Sequence, residues 1–224
     1  MHDMYYTFQR AFWIAHRVFP GGGTCLEFGV FRGDTLVWQA EQMMGSYLST
    51  RLIGFDSWQG LPEEVQGIWR PDRHKPGEYK SSRAFVQERI PESVRDRVSL
   101  IDGWFKDTLT RDIQSGINDL IFVNVDVDLY GSCLEVLNFI GPILHPGVII
   151  YFDDWKDPND QHDEPWGEHR AWAEWYPRNR DLSIELLESD AVNRRTMLVT
   201  KTPAGRLTNE QIARIRLQML LEIP

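Results

Sequence analysis

Cysteine is scarce: Cys25 and Cys133 are the only two in 224 residues. They form no CxxC pair, which excludes a disulfide framework and a thiolate metal knuckle. Each lies in an apolar setting, so both read as buried thiols, as expected in a reducing cytoplasm. Long runs of Lys or Arg are missing too, and 33 acids against 24 basic residues leave a formal net charge of −9. That balance argues against nucleic acid or an anionic membrane as partner. No stretch approaches the ~18 apolar residues of a membrane span. The start, Met1-His2-Asp3-Met4, lacks the basic and apolar runs of a signal peptide. Repeats, low-complexity tracts and an interdomain linker are also absent. With 42% hydrophobic and 25% charged residues, the expectation is a single domain over residues 1–224.

What is present is organised around residues 119–155. Two apolar β-type runs, 120–125 and 148–152, each end in acids: Asp126-Val-Asp128 after the first, Asp153-Asp154 after the second. One helix length, 134–144, separates them, and His145-Pro146-Gly147 closes it. A strand, a crossover helix and a strand make a βαβ unit with parallel strands. Its two C-terminal ends share one sheet edge, the edge where open α/β sheets bind ligands. Asp126, Asp153 and Asp154 should therefore converge, and converging carboxylates call for a cation, most naturally a divalent metal.

Upstream, residues 4–18, within an N-terminal segment 1–20, have the spacing of an amphipathic helix, with His16 as a surface or packing residue. A short strand, 25–30, then meets a Phe31-Arg32-Gly33 turn and a helix over 35–44. Glu27, Gly29 and Gly33 stand at this strand–turn–helix junction, where glycines admit a ligand to the backbone and the helix start offers free N–H groups. A second strand, 51–55, ends in Asp56-Ser57, and an acid so placed suits ribose hydroxyls. Residues 58–80 have no periodicity and are long enough to be a lid or binding loop. Helix 81–90 follows, with Ser82 as its cap. A third strand, 98–101, leads to Asp102-Gly103-Trp104 and a helix over 108–113. After the βαβ unit come a polar loop at 156–167, helix 168–175, two adjacent β runs at 182–187 and 196–200, and an amphipathic helix at 208–223. Nine tryptophans, several in loops beside acids, are candidates for flat apolar walls around a ligand. The fold class expected is Rossmann-like: a doubly wound seven-stranded sheet, mostly parallel with one antiparallel strand, and helices on both faces. The two terminal helices are candidate surfaces for a homo-oligomer.

Six segments in order, CLEFGVFRG, IGFDSWQGLPE, KPGEYKSS, DGWFKDTL, VDVDLYGS and PGVIIYFDDW, resemble the class I S-adenosylmethionine-dependent methyltransferases. Within these the likeness is to the macrocin O-methyltransferase family, which methylates sugar hydroxyls on natural products. The resemblance runs from about residue 25 to 155. It implies that Glu27, Gly29 and Gly33, with Thr35, form the methionine side of an S-adenosylmethionine site. It further implies that Asp56, with Ser57, binds the ribose diol and that Asp102 and Trp104 flank the adenine. Asp126, Asp153 and Asp154 match the family's metal-binding acids for Mg²⁺ or Mn²⁺, and Asp126 is the first choice for the base. His162 and His169 are the other candidates for the base, and Asp128 stands as a further acid or a loop support. Three departures bear on the acceptor pocket: Cys133 takes the place of the usual Thr, Val148 follows Gly147 where a second Gly is usual, and the acid-rich segment 156–168 is longer than usual. The acceptor implied is a small molecule with a sugar or other vicinal-diol hydroxyl. Open alternatives are a metal-independent methyltransferase, a DxD nucleotide-sugar glycosyltransferase and a non-catalytic cofactor-binding protein.

Overall fold

A computed structural model describes residues 6–64, 74–155, 166–190 and 194–221. The first five strands alternate with helices. They are β1 (Thr24–Phe28), β2 (Arg51–Asp56), β3 (Val98–Asp102), β4 (Leu120–Val125) and β5 (Ile149–Phe152). Two longer strands, β6 (Ser183–Ser189) and β7 (Arg195–Thr202), follow, with a two-residue β8 (Gly205–Arg206). The order is β3-β2-β1-β4-β5-β7-β6, with β8 on β7. Strands β1 to β5 pair in parallel, and β7 runs against both β5 and β6. The seven expected strands are all present; the sheet gains an eighth because Thr202 turns the chain back. Its hydroxyl accepts from the Ala204 N–H, and β8 pairs antiparallel with β7.

Each central strand is buried on both faces, so successive residues enter opposite cores. Cys25, Phe122 and Ile149 join one core with α1 (Tyr6–Val18) and α2 (Asp34–Gly45). Leu26, Val123 and Ile150 join the other, with α6 (Tyr130–Ile140) and α7 (Gly167–Trp175). Helix α3 (Arg83–Arg89) starts at Ser82, whose hydroxyl accepts from the Phe85 N–H, as the sequence predicts. Two helices differ from expectation. The one expected at 108–113 is two short pieces, α4 (Phe105–Thr108) and α5 (Arg111–Ser115), because Thr110 caps a new start by accepting from Ile113. The crossover helix α6 begins four residues early, and Pro142 tightens its end into a 3-10 turn at Gly141–Ile143. Helix α8 (Asn209–Leu221) buries Ile215 and Met219, and Arg10 of α1 donates to the Met219 carbonyl. Its outer side leaves Leu217, Leu220 and Leu221 exposed. Among the described residues, no helix is long and apolar enough to cross a membrane.

His16 is buried at the end of α1, with its ring nitrogens on the Phe12 carbonyl (2.9 Å) and the Thr50 hydroxyl (3.0 Å). Burial lowers it to about 4 from an ordinary 6.5. Its folded value lies below the unfolded one, so its contribution is present above pH 6.5 and is lost as pH falls toward 4. The stake is about 3 kcal/mol. Denaturant melts of the wild type and His16→Gln should therefore converge by about that amount between pH 6.5 and 4; parallel curves would refute the assignment.

Candidate active site

The ends of β1 to β5 open onto one cavity of about 840 Å³. The β1–β2 side is built on backbone. Gly29, at φ +84°, approaches so closely that a Cβ there would lie 1.7 Å from the Asp126 carbonyl oxygen. Only glycine lets β1 turn here against the end of β4. Gly29, Thr35, Asp56, Ser57 and Trp104 all line the cavity. The Asp56 carboxylate accepts from the Phe31 N–H (2.7 Å) and the Trp58 N–H (2.6 Å), which fixes its aim. Burial raises Asp56, and those backbone donors oppose the rise. The Ser57 hydroxyl donates to the Gly60 carbonyl and accepts from Gln59, so it shapes the loop that follows. The described arms of that loop pair at Leu61, Gly77 and Glu78. Residues 65–73 of the expected lid, Trp69 among them, lie outside the described residues.

Three expected cofactor-side residues are not in the cavity wall. Glu27 faces the α2 side of the sheet, buried behind the turn, and accepts from Thr35 Oγ1 (3.0 Å) and Gln39 Nε2 (2.6 Å). Strand alternation puts it there, and it anchors the first turns of α2. Gly33, at φ +76°, precedes α2; a Cβ there would meet Val86 of α3 at 2.7 Å, so both the left-handed backbone and the packing call for glycine. Asp102 sits beside Asp56 in register, but its side chain is exposed, and the wall is made by Gly103, Trp104 and Phe105 instead.

The β4–β5 side carries the acids. One carboxylate oxygen each from Asp126, Asp153 and Asp154 lie within 4.8 Å of one another. Burial, then Asp153 and Asp154, push Asp126 well above the carboxylate range; burial and Asp153 likewise raise Asp154. Asp153 is steadied from behind: its Oδ1 accepts from the Tyr151 hydroxyl and from Arg194 Nε, each at 2.8 Å. Arg194 is buried and also donates to Asp190 at 3.2 Å. Three oxygen donors that repel one another and converge on a cavity fit a hard divalent cation. Asp128 lines the same cavity at φ +58°, and His74 Nδ1 lies 3.0 Å from its Oδ1.

Of the histidines weighed as bases, His169 stacks on Trp155 with ring centroids 4.7 Å apart and does not line the cavity. His162 and most of loop 156–167 lie outside the described residues. Of the tryptophans, Trp104 is in the wall, whereas Trp58 and Trp155 belong to the two cores. The sequence reading missed Glu168, fully buried on α7 and bonded to the backbone of both acid-bearing loops. It also missed His74 and Arg194; no spacing rule connects them to the acids they meet.

A mostly parallel sheet with this strand order, a glycine turn after β1 and a cavity across the strand ends define a Rossmann-like methyltransferase fold. A family model described as "Methyltransferase domain" matches residues 26–155, more than half of the chain. The chain belongs to that family. It is similar to an 8-demethyl-8-(2,3-dimethoxy-alpha-L-rhamnosyl)-tetracenomycin-C 4'-O-methyltransferase of Streptomyces olivaceus, 28% identical, covering 59% of this chain and 53% of the relative. It is also similar to a mycinamicin III 3''-O-methyltransferase of Micromonospora griseorubida, 29% identical, covering 61% and 56%. The aligned part is thus little more than half the length of these relatives. Among solved structures, the fold matches that of CalS11, a calicheamicin methyltransferase, with a TM-score of 0.68 at 21% identity over 88% of this chain and 80% of that one.

Burial raises Glu27 to about 8 from 4.5. With the folded value above the unfolded one, its contribution is complete below pH 4.5 and is lost as pH rises through 8. Relative to Glu27→Gln, the wild type should lose about 1.4 kcal/mol of stability per pH unit over that interval. A difference that stays flat with pH would show that Glu27 is not held neutral.

Proposed function

We propose that this chain transfers a methyl group from S-adenosylmethionine to a hydroxyl of a sugar or other vicinal diol, with a divalent cation at the acid centre. The observation that carries this reading is the convergence of Asp126, Asp153 and Asp154 on the cavity that Gly29 and Asp56 also line. The named activities of the tetracenomycin and mycinamicin relatives, both O-methylations and the first named for a rhamnosyl compound, support it. When bound, the donor would supply an electrophilic methyl on its sulfonium, and Mg²⁺ or Mn²⁺ would supply Lewis acidity to the acceptor hydroxyl.

The chain's own residues divide the remaining work. Gly29 and the start of α2 leave room and N–H donors for the amino-acid end of the donor. Asp56, its carboxylate aimed by two backbone N–H groups, is placed for a ribose diol, and Trp104 offers an apolar face for a base. Asp126, Asp153 and Asp154 would hold the cation. Asp126, which lines the cavity at the end of β4 between the other two acids and the donor-side turn, is assigned the proton of the acceptor hydroxyl. Holding the two reactants in one cavity supplies the orientation that a bimolecular reaction lacks. A DxD glycosyltransferase would need cations for a diphosphate, and the wall offers Arg32 and Lys106 against nine carboxylates.

Asp126→Asn should lower turnover by about 10²–10⁴-fold while S-adenosylhomocysteine affinity, read by calorimetry, stays within a few-fold. EDTA should abolish turnover of the wild type on a glycoside panel, and Mg²⁺ should restore it. Activity undiminished by EDTA would favour a metal-independent transfer, and wild-type turnover in Asp126→Asn would sink the residue's role.

A further inference from the structure

Four carboxylates, those of Asp126, Asp128, Asp153 and Asp154, crowd the ends of β4 and β5, and a fifth, Glu168, stands behind them fully buried on α7. A neutral side chain would be electrostatically cheaper there, so its presence needs a reason. The contacts supply one. Glu168 Oε1 accepts from the Val127 N–H at 2.9 Å, and Oε2 accepts from the Asp154 N–H at 3.3 Å. Val127 lies between Asp126 and Asp128 on the loop after β4; Asp154 is on the loop after β5. One carboxylate therefore ties the two loops that carry the acids. The two N–H groups meet different oxygens, so an amide would turn its NH2 donor toward one of them and lose that contact.

The local backbone is shaped to bring Glu168 there. Gly167, at φ +55°, opens α7 so close to the β4 loop that a Cβ would lie 2.6 Å from the Asp128 carbonyl oxygen. Helix α7 then packs against α6, the crossover between the two loops, through Trp172, Trp175, Val136 and Ile140 in one core. Glu168 is thus rigidly mounted, and its aim is set by the fold rather than by the acids.

We propose that Glu168 is a positioning residue, a clamp that fixes the spacing between Asp126 on one loop and Asp153 and Asp154 on the other and so sets the affinity for the cation. The proposal rests on the metal reading of the acid centre. Carboxylates that support ligating groups from behind commonly change metal affinity by about 10–100-fold when removed. Glu168 bonds to none of Gly29, Asp56 and Trp104, which build the donor side, and reaches that side only through the Asp126–Val127 peptide that Gly29 faces, so its removal should fall first on the cation.

The test is a Mn²⁺ titration, followed by the free-ion spin resonance signal, on the wild type, Glu168→Gln and Glu168→Ala. Each protein is also titrated with S-adenosylhomocysteine in the absence of metal and melted without metal. The expected result is one Mn²⁺ per wild-type chain, binding weakened about 10–100-fold in both variants, and S-adenosylhomocysteine affinity unchanged within about twofold. A merely structural role would instead lower all three readouts together, and that result overturns the proposal. So does wild-type Mn²⁺ affinity in Glu168→Gln. A wild type that binds no Mn²⁺ overturns the metal reading and the clamp with it, which separates the two failures. If neither variant folds, amide exchange on the wild type decides: slow exchange at Val127 and Asp154 supports the clamp, and rapid exchange at both overturns it.

Discussion

Like charges held at the same sheet edge are the constraint around which this protein is arranged. Two unit charges 4.8 Å apart repel by about 3 kcal/mol at the effective dielectric of a partly buried site. Three such groups lie within that distance here, with Asp128 beside them. Left alone, the loops after β4 and β5 would spread. The fold resists this in two places. Tyr151 from β5 and Arg194 from just before β7 grip Asp153, and Glu168 ties the backbones of both loops from α7. Arg194 is itself balanced by Asp190, so one buried guanidinium joins the acid centre to the segment before β7.

The other half of the cavity answers to a different demand. It is shaped by backbone turns, one of which holds the Asp56 carboxylate, and glycine at position 29 lets β1 meet the Asp126 carbonyl. That contact sets how far the donor side stands from the acids. Glu27 belongs to this half as an anchor for Thr35 and Gln39 rather than as part of the wall. The division matches the proposed reaction, in which one partner is recognised by shape and hydrogen bonds and the other through a cation.

Much of this was legible in the sequence, for a definable reason. Apolar runs ending in acids, separated by one helix length, dictate parallel strands with adjacent carboxyl ends, so the convergence of Asp126 with Asp153 and Asp154 followed from topology. Gly29 and Asp56 were legible in the same way. Glu27 lies on the α2 face of β1, a position set by strand alternation that the spacing of the motif does not show. The split of α4 from α5 turned on Thr110, a cap inside a stretch read as one helix. Glu168 escaped because it meets backbone N–H groups, which leave no trace in residue identity. The Asp128–His74 contact escaped because it joins loops far apart in the chain.

The central claim is that the three acids form one cation site. The most direct measurement is anomalous diffraction from crystals grown with Mn²⁺. The account predicts a single strong peak bonded to one oxygen each of Asp126, Asp153 and Asp154. A map with no peak among these carboxylates at saturating Mn²⁺, or with the ion bound elsewhere, would contradict it.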